Sequence, residues 1–226
     1  MTYDLRTVTF AADLIIKPAN HLPKALQRVH EAAFSHDTCA YKNFAVIPGG
    51  AQLSNPVARA GAISAATVLP DRIRVQEQST GIIREDFESR LAQFAAITMQ
   101  HLGLSTFLAQ QFVVQSLVNP RSSSDARAFL TTSVFDFKEG DLARLERRPE
   151  LVGLRLVFPP APDSPGLFNV RIESYGRDNR SLFLENVGVF NAPVQTDELS
   201  ALAERFDTTY GYLENNVIAF IAQFDA

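Results

Sequence analysis

The chain has 226 residues, long enough for a sizeable hydrophobic core in one large domain or two small ones. Hydrophobic residues make up 46% and charged residues 20%, which excludes an intrinsically disordered chain. With 21 Lys and Arg against 25 Asp and Glu, the formal net charge is −4, which argues against nucleic-acid binding, whose affinity draws largely on basic surface.

Residues 5–17 (LRTVTFAADLIIK) are rich in β-formers and stop at Pro18, which predicts a strand. Leu22, Ala25, Leu26, Val29 and Ala33 recur at three- and four-residue steps and predict a helix over 21–34, with Pro23 in its first turn. A short strand, 41–48, runs into Gly49-Gly50, and a polar loop with Ser54-Asn55-Pro56 follows. Residues 61–69 and 72–79 read as two strands about a Pro70-Asp71 turn. Phe87, Leu91, Phe94, Thr98 and Leu102 mark a helix closed by Gly103. Residues 107–118 read as a strand, and Arg121–Asp125 (RSSSD) as a linker.

In 126–138 the alternation of Phe129, Thr131, Ser133, Phe135 and Phe137 predicts a strand, with a short helix in competition. Asp141 caps a short helix to Arg147. Three strands are expected at 151–158, 167–175 and 181–190. The chain closes on a long helix whose apolar positions, Leu199, Leu202, Phe206, Tyr210, Leu213, Val217, Phe220 and Phe224, step by three or four, with Thr196 or Asp197 as its cap.

The order strand, helix, three strands, helix thus occurs twice. The expected fold is α+β: two tandem β-α-β-β-β-α units, 1–120 and 121–226, sharing a mainly antiparallel sheet with the long C-terminal helix packed on it. Asp4-Leu5-Arg6 pairs with Asp125-Ala126-Arg127 at the openings of the two units, and Lys17 with Lys138. Joining two such units hides sheet edges that each alone would leave unpaired. In this outline the chain resembles the saddle of TATA-binding-protein-like folds and, more loosely, tandem ferredoxin-like units. The run RIRVQEQSTGIIREDFESRLAQFAAITMQHL with the later GLRLVF strand is similar to a group of uncharacterised bacterial proteins. The resemblance implies fold alone: the basic, Phe-bearing face with which a TATA-binding protein kinks DNA has no counterpart here.

No catalytic or metal motif emerges. His21, His30, His36 and His101 include no HExxH pair, and the only cysteine, Cys39, forms no Cys-x-x-Cys and no intrachain disulfide. His36-Asp37-Thr38-Cys39 reads as a polar loop, and Gly49-Gly50 as a turn without a phosphate-loop pattern. No cofactor is indicated. The N-terminus has no leader pattern and no apolar run reaches the ~18 residues of a membrane span, so a cytoplasmic location is expected.

Two sets of residues remain. Glu77 and Glu185 occupy similar places in the two units and would form an acid/base pair if they converged, the basis of an enzyme reading. On alternating strand faces, Arg74, Arg155, Arg171, Glu173 and Tyr175 gather into a polar, arginine-bearing surface. Arginine forks suit carboxylates and phosphates, so the favoured expectation is a non-catalytic binding protein for an anionic small molecule or an acidic protein surface. Nucleic-acid binding is a third reading that requires a continuous basic face, against which the net charge argues, and a membrane is not an expected partner. Both Arg155 and Arg171 are expected to be dispensable for folding.

Overall fold

The computed structural model describes residues 3–225 apart from Glu139, Arg148 and Asp163. Its centre is a nine-stranded, wholly antiparallel sheet in the order β2-β3-β4-β5-β1-β7-β10-β9-β8. The strands are β1 (Arg6–Ile15), β2 (Asn43–Ile47), β3 (Gly50–Ser54), β4 (Ile63–Val68), β5 (Arg72–Gln78), β7 (Ala109–Val118), β8 (Gly153–Phe158), β9 (Leu167–Ser174) and β10 (Leu182–Phe190). A separate two-stranded ribbon pairs β6 (Thr106–Phe107) with β11 (Val194–Gln195).

Helices α1 (Pro23–Phe34), α2 (Arg84–Leu102) and α4 (Ser200–Gly211) cover one face of the sheet. After α4 the chain makes one wider π-helical turn (Tyr212–Val217) and continues as α5 (Ile218–Ala222). The core lies between these helices and every second strand residue: Phe10, Ala12, Leu14 from β1, Ile73 and Val75 from β5, Phe112 and Val114 from β7, Val170 and Ile172 from β9. Phe10, Phe87 and Phe206 meet at its centre, with ring centroids 4.9–5.4 Å apart.

Several expectations need correction. Residues 126–134 are helical: α3 (Ala126–Ala128) runs into a π-helical turn (Phe129–Val134). Asp125 accepts hydrogen bonds from the backbone N–H of Arg127 (2.8 Å) and Ala128 (3.0 Å), a side-chain cap that starts the helix. Ala126, Phe129 and Leu130 then reach the core at helical spacing, so the period-two phenylalanine pattern was incidental. The correspondence of Arg6 with Arg127 therefore pairs a strand with a helix. Residues 50–54, read as a loop, form β3. Pro48 and Gly49 make the two-residue turn between β2 and β3, and Gly49 takes φ +80° there, where glycine carries no steric penalty. The segment 142–145 is a 3-10 turn, and Asp141 accepts from the N–H of Lys138 (2.7 Å) instead of capping it. The C-terminal helix begins at Ser200, later than expected, because Val194 and Gln195 pair with β6 and the Thr196 hydroxyl donates to the Ser105 carbonyl (3.2 Å).

Candidate functional site

The second face of the sheet is uncovered by any of these helices. Register shows what it carries. Asp13 on β1 stands opposite Arg74 on β5 and Gln111 on β7. Gln115 on β7 stands opposite Glu185 on β10, Glu185 opposite Arg171 on β9, and Arg171 opposite Arg155 on β8. One row across the second half therefore reads Gln115, Glu185, Arg171, Arg155. Phe183, two residues along β10, faces Glu173, and Tyr175 follows the end of β9.

Arg155 and Arg171 are like charges placed directly opposite, which by itself is unfavourable. Each turns away from the other. Arg155 donates from Nε to the Asn169 side chain (2.7 Å). Arg171 lies 3.3 Å from Glu185 and 3.7 Å from Glu173, with its guanidinium 4.8 Å from the centre of the Phe183 ring. Tyr175 stacks on the far part of this patch, its ring 6.2 Å from Phe183 and nearly parallel to it. Gln115 fixes the other Glu185 oxygen by a 2.5 Å hydrogen bond. Arg155, Arg171, Glu173 and Tyr175 thus do come together. Arg74 does not: β1, β7 and β10 lie between β5 and β9, a span of about 19 Å at the usual strand spacing.

The arginine excess expected on this face is reduced by two carboxylates that sequence alternation did not assign to it. Glu185 is one. Both faces of β10 are apolar enough to look like core, so alternation alone could not orient it. Close packing of α4 decides the matter by drawing Leu184, Asn186 and Gly188 inward, with Asn186 donating to the Thr209 carbonyl (2.8 Å). Asp13 is the other. It is 5% exposed, its Oδ1 has no hydrogen-bond partner among the described residues, and Arg74 Nε is 3.9 Å away. Burial raises the Asp13 carboxyl above the ordinary range, against the pull of Arg74 and Arg72. Asp13 then faces Arg74, and Glu173 and Glu185 both face Arg171. Of the two arginines of the Gln115–Arg155 row, Arg171 is the one ion-paired, while Arg155 is exposed and bonded through Nε to a neutral amide, with its two terminal nitrogens turned to an outside group.

Glu77 lies on the opposite, helix-covered face, 2% exposed, opposite Phe10. Ser64 donates to its carboxylate (2.8 Å), and Arg90 of α2 forms an ion pair with the same oxygen. Glu77 and Glu185 are therefore separated both by the sheet itself and by two intervening strands, and they do not converge. The loop carrying His36 to Cys39 holds no exposed thiol: Cys39 is buried and burial pushes its thiol up to about 11, against the pull of Arg90. Among the described residues, no group of three or more His, Cys, Asp or Glu is placed to hold a metal ion, and no helix is long and apolar enough to cross a membrane.

The sequence matches no protein-family model and no curated protein. Geometry therefore carries the functional argument.

Proposed function

We propose that the chain is a non-catalytic binding protein whose uncovered sheet face meets an acidic surface of a partner protein. The observation that carries this reading is the exposed fork of Arg155 beside the Arg171–Phe183–Tyr175 stack, on a face that none of α1, α2 and α4 covers. Layout favours a protein over a small molecule, because the row Glu185, Arg171, Arg155 lies along the open face of three adjacent strands, whereas a metabolite is usually enclosed by a cleft. Phe183 is 9% exposed, so the surface offered is Tyr175 with the two arginines, and Tyr and Arg are residue types enriched where proteins bind proteins.

The test uses a fluorescent glutamate-rich peptide and fluorescence anisotropy at low salt. Binding that weakens with salt, and about tenfold weaker binding by Arg155→Ala at an unchanged melting temperature, is the expected result. Equal binding by wild type and Arg155→Ala, or none at low salt, would overturn the reading. Arg171→Ala is a poor probe, since its ion pairs and ring contact make it part of the scaffold.

We infer also that the chain consists of two copies of one unit. Supporting this, the strands run outward from the β1–β7 junction as β5, β4, β3, β2 on one side and β10, β9, β8 on the other, and α2 and α4 each follow the strand next to the junction. On this reading β7 is the counterpart of β1, and the boundary falls near Gly103 rather than after Pro120.

A further inference from the structure

The strand order leaves β8 at one end of the sheet, with β9 as its only strand neighbour among the described residues. Register shows which of its backbone groups are engaged. The Ser174 N–H donates to the carbonyl of Val152, the residue before β8 (2.8 Å), so Val152 and Ser174 are a hydrogen-bonded pair of the ladder. Such pairs alternate with non-hydrogen-bonded ones along antiparallel strands. Leu154, Leu156 and Phe158 therefore direct their N–H and C=O groups to β9, and Gly153, Arg155 and Val157 direct theirs to the outer edge. Gly153 fits this place, where facing strands come closest: a β-carbon added there would stand 2.5 Å from the Glu173 Cβ.

The two faces beside this edge differ in chemistry. On the open face, Arg155 and Val157 are exposed, and Arg155 is bonded through Nε to the Asn169 side chain (2.7 Å), which leaves its charge uncancelled. On the helical face, a pocket of about 210 Å³ opens beside Leu156 and Phe158, walled by Tyr212, Asn216, Val217 and Phe220. It is smaller than the roughly 300–1,000 Å³ of small-molecule sites and suits a single large apolar side chain. Phe158 remains 37% exposed there.

An unpaired edge, a cation on one face and an apolar pocket on the other fit one kind of occupant, an extended chain whose side chains alternate between acidic and apolar. We propose that the acidic partner docks as a β-strand added antiparallel to the outer edge of β8, with a carboxylate against Arg155 and an apolar side chain in the pocket. This rests on the acidic-partner reading above and states how that partner binds. Main-chain hydrogen bonds hold the added strand, and the two faces select its sequence. Charge argues against a second copy of this chain as the occupant. The edge-directed residues of β8 all share the open face, so pairing β8 with itself sets two Arg155 side chains on one face of adjacent strands, each already opposite an Arg171, and like charges so placed repel.

The experiment is fluorescence anisotropy of the full chain at low salt with a short labelled peptide of alternating glutamate and leucine. A peptide of the same composition, with its glutamates and leucines in separate blocks, is the comparison. The alternating peptide should bind about tenfold more tightly or better. A residue facing Arg155 in this ladder shares both hydrogen bonds with it, so N-methylation of the glutamates should abolish binding and N-methylation of the leucines should leave it intact. Val157→Pro removes an edge N–H where proline is tolerated, and Asn216→Phe fills the pocket from its exposed wall. Each should weaken binding by about tenfold or more at an unchanged melting temperature, and the N-methylated pair decides the matter even if a variant loses stability. The proposal fails if both N-methylated peptides bind alike, or if the block peptide binds as tightly as the alternating one. In either case, salt-dependent binding that still needs Arg155 leaves the acidic-partner reading standing, whereas no binding by any glutamate-bearing peptide ends both. A chain that sediments as a dimer, and as a monomer once Val157→Pro is made, assigns the edge to a second copy and also overturns the proposal.

Discussion

Gly188→Ala tests how closely the helical layer is pressed onto the strands that carry the candidate face. Gly188 lies on β10, turned toward α4, and a β-carbon placed there would stand 2.2 Å from Thr209 Oγ1, 3.0 Å from its Cγ2 and 3.1 Å from its Cβ. Carbon contacts are relaxed at about 3.5–4.0 Å, so the two elements must separate by up to roughly 1 Å. Thr209 cannot simply rotate away. Its hydroxyl donates to the Arg205 carbonyl (2.9 Å), and its own carbonyl accepts from Asn186 (2.8 Å). Overpacking of a well-filled core costs about 1–3 kcal/mol. For a domain of this size that corresponds to a fall of about 2–12 °C in melting temperature. Thermal and urea unfolding of Gly188→Ala, Thr209→Ala and the double variant give the coupling directly. The second substitution should relieve much of the first, with a coupling of about 1 kcal/mol or more. A Gly188→Ala protein that melts within 1 °C of wild type (about the limit of such a measurement), or a cycle with no coupling, would refute the close approach of α4 to β10.

Arg90→Ala leaves the buried Glu77 carboxylate with Ser64 alone, and urea unfolding should show a loss of about 3–5 kcal/mol, the usual cost of stripping one partner from a buried pair. Asp13→Asn should raise the melting temperature at pH 7: burial lifts the folded-state carboxyl above its unfolded value, so the ionised side chain weakens the fold as pH rises from about 4, and the advantage of the variant should vanish below that pH in melts across the range. Asp225 behaves in the opposite sense. Burial pushes it upward, but hydrogen bonds from the Ser122 and Tyr3 hydroxyls and from the N–H groups of Arg121 and Ser122 outweigh this and lower it to about 2. Its contribution, about 1 kcal/mol after screening, is complete above pH 4 and lost as pH falls toward 2, so the stability gap between wild type and Asp225→Ala should close over that window.

The sequence alone determined what depends on local periodicity. Ile73, Val75 and Glu77 alternate with Arg74 and Gln76 strongly enough to orient β5, and the same argument set Arg155 and Arg171 on one face of β8 and β9. The amphipathic steps of α2 and its Gly103 terminus were equally legible, since a left-handed glycine ends a helix wherever that helix packs. Tertiary structure decided what local pattern leaves degenerate. In 126–138 Phe129, Phe135 and Phe137 satisfy a strand period while Ala126, Phe129 and Leu130 satisfy a helix period, and the Asp125 cap with burial of Phe129 and Leu130 selects the helix. Along β10 both faces are largely apolar, so only the seating of α4 against Gly188 and Asn186 turns Glu185 outward to Arg171. Strand neighbours were undetermined as well, because β1 and β7 pair across about a hundred residues of chain and thereby separate Arg74 from Arg171 and Glu77 from Glu185. The pocket beside β8 gathers residues from two strands and from the turn and helix that follow α4, and no local pattern encodes that meeting; it exists only because the antiparallel register sets β8 beside β9 under that helix.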